Sequence, residues 1–174
     1  MTDKNSLRSF FKDKRAKITD KREKSIRITE KIIETDTYKS SKTLMLFFPK
    51  ADEVDTLFLI KKAITDKKTV VFPITDKKTN NLIPVIFKGG FKKGAFGIYE
   101  PIGDIIDKNK IDAVIIPALS ADSHNYRLGY GGGYYDRFLK DFNGFKITVL
   151  FSELLTDRLP RDEFDIKTDL VITD

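Results

Sequence analysis

Apolar and polar residues follow two different rhythms along this chain. Over the first thirty-odd residues the apolar positions recur at helical spacing: Leu7, Phe10, Phe11 and Ile18, then Ile26, Ile32 and Ile33, with Lys and Arg between them. That spacing predicts two amphipathic helices, and Asp20 with Glu23 reads as a capping box opening the second. Beyond them the apolar residues gather into short unbroken runs of strand length, at 43–48, 69–74, 82–87, 112–117, 146–151 and around 170–173. Helical spacing returns between the runs. Val54, Leu57, Phe58, Lys61 and Ile64 predict one helix face, Tyr135, Phe138, Leu139 and Phe142 another, and a short helix is expected near 153–158. Strands apolar on both faces, alternating with helices, predict an α/β fold with a largely parallel sheet covered on both sides. Ligands of such sheets sit beyond the carboxyl ends of the strands.

Length and composition narrow the classes. A chain of 174 residues suits one domain, 1–174, with basic N-terminal helices at about 3–36. Cysteine is absent, which excludes disulfides, thiolate zinc sites and a cysteine nucleophile, and one histidine, His124, forms no histidine cluster. No secretory signal or apolar run of membrane-spanning length is visible, so a cytoplasmic location is expected. The net charge of +6 resides wholly in residues 1–42, which hold 13 Lys and Arg against 7 Asp and Glu. Such an arm binds anions or is simply solvated.

The densest candidate chemistry is Arg127-Leu128-Gly129-Tyr130-Gly131-Gly132-Gly133-Tyr134-Tyr135-Asp136. Four glycines in five positions let a backbone approach a charged ligand and permit positive φ. A helix starting where the glycines stop would aim amide donors and its dipole at an anion. Arg127 adds a permanent cation and Asp136 a hard oxygen ligand, a set suited to a metal-bound polyphosphate. A plain tight turn is the alternative for the glycines alone. The Gly-x-x-x-x-Gly-Lys-Ser/Thr pattern is missing, and Tyr134 stands where the dinucleotide pattern needs glycine or alanine.

Further candidates flank this loop. Lys4 and Arg8, four apart, share a helix face and could grip phosphate or face solvent. Glu53 lies just past a strand end, where a carboxylate can accept paired N–H donors of a heterocycle, and Phe48 offers a ring surface or core packing. Nearby Asp52 or Asp55 could cap the next helix. Residues 94–101, with Phe96 and Tyr99, suggest one wall of a cleft. Asp169 could join Asp136 near a cation. His124 sits in a turn-like polar stretch that suits a loop better than a general base.

Taken in order, Lys-x-x-Leu-Arg at 4–8, Asp-Glu-Val-Asp-Thr at 52–56, Phe-Gly-Ile-Tyr-Glu-Pro at 96–101 and the glycine segment at 127–139 resemble the 5-formyltetrahydrofolate cyclo-ligase family. The resemblance runs from Lys4 to about residue 173. It implies a three-layer α/β/α sandwich and ATP-dependent, Mg²⁺-requiring conversion of 5-formyltetrahydrofolate to 5,10-methenyltetrahydrofolate, releasing ADP and phosphate through an iminium phosphate. By the same resemblance Lys4, Arg8 and the residues from Arg127 to Tyr135 contact ATP. Phe48, Glu53 and the stretch from Tyr130 to Tyr134 contact folate, and Asp136 and Asp169 hold magnesium, with Arg127 and Asp136 catalytic. It implies small-molecule partners, without nucleic acid, membrane or obligatory protein partner. The chain departs from the family's pattern at Gly132, where some relatives have lysine, and at Ala121, Asn125, Leu154 and Phe164. A non-catalytic folate or nucleotide binder, and an RNA-binding module using the basic helices, are the alternatives.

Overall fold

The computed structural model describes residues 3–93 and 99–174. In chain order the elements are α1 (Lys4–Ala16), α2 (Lys21–Glu34), α3 (Asp36–Ser40), β1 (Thr43–Met45), α4 (Leu57–Thr65), β2 (Thr69–Asp76), β3 (Asn81–Ile86), β4 (Phe91–Lys93) and β5 (Tyr99–Pro101). They continue with β6 (Ala113–Pro117), β7 (Ser120–Asp122), β8 (Arg127–Leu128), α5 (Tyr134–Leu139), β9 (Phe145–Val149), β10 (Leu155–Thr156) and β11 (Leu170–Ile172).

Six strands form the central sheet in the order β11-β9-β6-β1-β2-β3. All its neighbours are parallel except β2 and β3, which pair antiparallel. Residues 77–80 are too few for a crossover, so a hairpin is the connection available there. Alternation along the strands builds two cores. Leu44, Leu46, Val70, Phe72, Ala113 and Ile115 face Phe11, Ile28, Ile32, Leu59 and Ala63 of α1, α2 and α4. Met45, Val71, Val114 and Ile116 face Phe138, Leu139 and Phe142 on and after α5. The expected three layers are therefore present, one of them thin.

Several local expectations are corrected. Asp20 adopts a left-handed φ of 53° and its carboxylate makes no cap bond, so the capping box does not form. Asp3 is instead the working cap, accepting from the amides of Asn5 and Ser6 on α1. On α4 the buried face is Leu59, Ile60 and Ala63, while Leu57, Phe58 and Ile64 stay about half exposed. That helix is apolar nearly all round, so spacing alone could not choose its inner face. Asp55 accepts from Leu57 N at 2.9 Å and satisfies the first amide there. The helix expected near 153–158 is a single 3-10 turn at Ser152–Leu154 leading into β10. α5 stops at Leu139 rather than running to Phe142, because Lys140 departs from helical geometry and Asp141 takes φ 60°.

Candidate functional site

At the carboxyl edge of the sheet, β1 continues into Phe47, Glu53 and the turn between them, β6 into Ala118, and β9 into Phe151. Beyond that edge β7 extends outward, β8 returns antiparallel beside it, and β10 pairs parallel on its other side. The return delivers the glycine loop of residues 129–133 back over the strand ends.

The first helix lies against this loop. Arg8 Nε donates to Gly129 O at 3.1 Å, and its Nη1 to Asn5 Oδ1 at 2.6 Å. A Cβ built on Gly131 would stand 3.4 Å from the Arg8 Cζ, so the guanidinium covers that glycine. Lys4 Nζ meets Asp162 at 2.7 Å and Asp165 at 2.5 Å, on the segment that precedes β11. Burial would lower the Lys4 pKa, but the two carboxylates outweigh it and raise it above the usual lysine value. Of these two helix cations, Arg8 meets the glycine loop itself, whereas Lys4 meets the 162–165 segment.

Within the loop Gly131 and Gly133 hold φ of 101° and 65°, values that favour glycine. Among the described residues, the amides from Gly129 to Gly133 have no hydrogen-bond acceptor, leaving donors for a ligand. α5 is only six residues long, so its dipole contributes less than the sequence pattern suggests. Arg127 lies below, its side chain 3% exposed, donating to Asp136 Oδ1 and to Ile166 O, each at 2.7 Å. Asp136 Oδ1 also accepts from Ile166 N at 3.1 Å, while Oδ2 has no hydrogen-bond partner among the described residues.

A second cluster sits beside the loop around Glu53. Tyr130 donates its hydroxyl proton to Glu53 Oε1. Lys50 N donates to the other carboxylate oxygen at 3.0 Å. Arg15 Nη1 donates to the Tyr130 hydroxyl at 2.6 Å, and its Nη2 and Nε hold Asp52 Oδ2 at 2.5 and 3.0 Å. Burial and then the Glu53 charge push the Tyr130 hydroxyl well above the usual tyrosine value. Tyr135 is raised by the same two causes, burial leading. Phe48 is 55% exposed and stands edge to face with Phe91 at 5.1 Å, part of an aromatic group with Phe72 and Phe87. The enclosed space lined by Arg15, Phe47, Glu53, Ala118 and Phe151 is about 10 Å³, room for one water at most. A space of that size holds no heterocycle.

Asp169, expected beside Asp136, is engaged by another residue. Its carboxylate accepts from Lys146 N at 2.7 Å and pairs with Lys146 Nζ at 3.0 Å, at the amino end of β9. His124 is exposed, its ring Nδ1 3.3 Å from Ser123 Oγ. Residues 94–98, with Phe96, and the side chain of Tyr99 lie outside the described residues, and with them the expected cleft wall. Arg15 carried no sequence signal, and Asp52 only that of a possible helix cap within the 52–56 motif. Arg15 looks like an ordinary surface charge, yet it is 4% exposed. Asp122 is buried too, its carboxylate accepting from the amides of His124, Tyr126 and Leu159 and from Arg161, and it ties the turn between β7 and β8 to the segment after β10.

Comparison with known proteins shows the family and the fold. The profile of the 5-formyltetrahydrofolate cyclo-ligase family matches residues 1–174. The 5-formyltetrahydrofolate cyclo-ligase of Mycoplasma pneumoniae is 30% identical over 178 residues, covering 99% of each chain. That of Mus musculus is 28% identical over 164 residues, covering 85% of this chain and 81% of the mouse protein. The solved structure of Aquifex aeolicus 5,10-methenyltetrahydrofolate synthetase superposes with a TM-score of 0.84 at 30% identity, covering 97% of this chain and 88% of that one.

Proposed function

This chain belongs to the 5-formyltetrahydrofolate cyclo-ligase family of ligases, and from that premise we propose how its residues close the folate ring. The substrates are ATP and 5-formyltetrahydrofolate. Lys4 and Arg8, with the open amides of the glycine loop, take the triphosphate, Arg127 orders Asp136 beside it, and Glu53 with Phe48 takes the heterocycle. The observation that carries this assignment is the meeting of both clusters on one loop: Arg8 touches Gly129 while the next residue, Tyr130, touches Glu53.

A formamide oxygen is a weak nucleophile and a poor leaving group. In the proposed reaction it attacks the γ-phosphorus, ADP departs, and the formyl carbon becomes an iminium phosphate. N10 then attacks that carbon and loses its proton, and the carbon–oxygen bond breaks to expel phosphate. Such transfer needs alignment and charge neutralisation rather than a protein nucleophile, which suits a site of amides, Arg and Lys in a chain without cysteine.

Magnesium takes one or two carboxylates together with phosphate oxygens and water. Asp136 suits that donor set through Oδ2, and no cluster of three or more acidic or histidine side chains offers a rival among the described residues. Asp169 fits less well, because Lys146 already holds its carboxylate. When bound, the ion supplies neutralisation of the phosphate oxygens, while Arg127 fixes the carboxylate from behind.

The test is appearance of the methenyl chromophore when ATP and 5-formyltetrahydrofolate are added, with and without Mg²⁺. Calorimetry with MgATP provides an independent readout. Folded protein that binds neither substrate sinks the assignment.

A further inference from the structure

The buried Arg15 belongs to neither expected ligand set, yet it is bonded into both. Arginine only donates hydrogen bonds. The Tyr130 oxygen that receives Arg15 Nη1 at 2.6 Å must therefore spend its single proton elsewhere, and Glu53 Oε1 is the acceptor it meets. Asp52 fixes the other side of the guanidinium through Nη2 and Nε. Each Glu53 oxygen is thereby gripped once from the protein side, by Tyr130 and by Lys50 N. Each carboxylate oxygen accepts about two hydrogen bonds, so each keeps the capacity for one more.

We propose that Arg15, paired with Asp52, is a positioning residue that aims the Tyr130 hydroxyl at Glu53 and so presets the carboxylate for the paired N–H donors of a reduced pterin. The inference rests on Glu53 as the folate acceptor and goes beyond it by naming the relay that holds it. Neither Arg15 nor Asp52 touches the substrate. Loss of the relay leaves Tyr130 free to turn its proton away, and Glu53 then loses the plane in which a bidentate partner fits. Phosphate-gripping groups lie on other residues, so ATP affinity is expected to stay put.

Affinity for 5-formyltetrahydrofolate, measured by calorimetry on Arg15→Met, Tyr130→Phe and the double variant, tests the relay. Arg15→Met should weaken folate binding by about 10-fold, the scale of one hydrogen bond in a charged network. In the Tyr130→Phe background the same change should cost less than about 2-fold, because groups acting in series do not add. MgATP affinity should be unchanged by Arg15→Met. Additive losses, or equal weakening of both ligands, would show a merely structural Arg15 and overturn the proposal. Asp52→Asn, at a half-exposed position, serves if Arg15→Met does not fold. A folate-selective loss there supports the relay, and unchanged folate affinity overturns it. Wild-type protein that binds no 5-formyltetrahydrofolate refutes the functional assignment itself, whereas wild-type binding with an additive cycle refutes only the relay.

Discussion

Replacing Asp136 with asparagine separates the structural duty of its carboxylate from the metal-holding one proposed for it. In the fold it neutralises Arg127, whose side chain is 3% exposed, and accepts from Ile166 N at 3.1 Å. Removing one partner of a buried ion pair outright costs about 3–5 kcal/mol. Asparagine keeps an acceptor oxygen and most of the shape, so about half of that, roughly 2 kcal/mol, is expected, and a melting temperature lower by about 4–8 °C. In the reaction, the loss of the metal-binding charge should lower kcat by about 100- to 1000-fold, the range for removing one group that stabilises charge in a transition state. The assay is chromophore formation across a magnesium titration, run well below the melting temperature. The size of the two effects differs, which is the point: a 2 kcal/mol stability loss leaves the protein folded at 25 °C, so a hundredfold fall in kcat cannot come from unfolding. Folded Asp136→Asn with wild-type kcat and magnesium dependence would refute the assignment.

Three other outcomes are expected. Arg8→Met should raise the KM for ATP by about 10-fold while leaving the KM for folate unchanged, which steady-state kinetics with each substrate varied will show. Gly131→Ala places a side chain at φ 101° and within 3.4 Å of the Arg8 guanidinium, costing about 1–3 kcal/mol by thermal denaturation and loosening ATP. Asp122→Asn should cost about 1–3 kcal/mol at pH 7. Burial alone would raise the Asp122 pKa, but the amides of Leu159, Tyr126 and His124 and the Arg161 guanidinium outweigh it and hold it below the usual value. The folded value being the lower one, that stabilisation is complete above the unfolded carboxylate range. It drains away as pH falls from about 5 through the folded value. Melting curves of wild type and Asp122→Asn should therefore converge as pH falls through the folded value, and curves that stay parallel across the acid range would refute the account.

The strands were legible because both-face burial forces continuous apolar runs, and the glycine loop because few other residues tolerate its dihedrals. The antiparallel β3 was hidden, since an apolar run carries no direction; only the shortness of residues 77–80 signals the hairpin. The inner face of α4 was misread because Leu57, Phe58, Leu59 and Ile60 offer apolar surface in every direction, and packing decided among them. Lys4 and Arg8 stood out by their spacing and Glu53 by its place past a strand end, but only the order of motifs suggested a ligand for them, since charge spacing on a basic helix does not distinguish a gripping cation from a solvated one. Arg15 escaped for the same reason, and Asp52 was read as a possible cap rather than as its partner. Their importance is visible only in burial and in partners 115 and 37 residues away.

The cations at the proposed ATP site are already engaged within the protein, and this sets how strongly they can bind. Lys4 holds Asp162 and Asp165, Arg127 holds Asp136, and Arg8 holds Gly129 O and Asn5. A triphosphate therefore exchanges partners rather than finding bare charge, and its net gain is the difference between two charge-assisted contacts. The exchange is uneven. Arg127 is buried with Asp136 and changes little, whereas the Lys4 carboxylates lie on the segment of residues 162–165, where Asp162 is 68% exposed. A phosphate drawing Lys4 inward would free Asp162 and Asp165, and with them the segment that carries the exposed Phe164. ATP affinity should then depend on those two carboxylates with the opposite sign to that expected of ligands: Asp162→Asn weakens the competitor and tightens ATP by a few-fold. Calorimetry with MgATP decides it, and an Asp162→Asn protein with weaker ATP binding would mean that Lys4 needs its carboxylates to reach the phosphate at all.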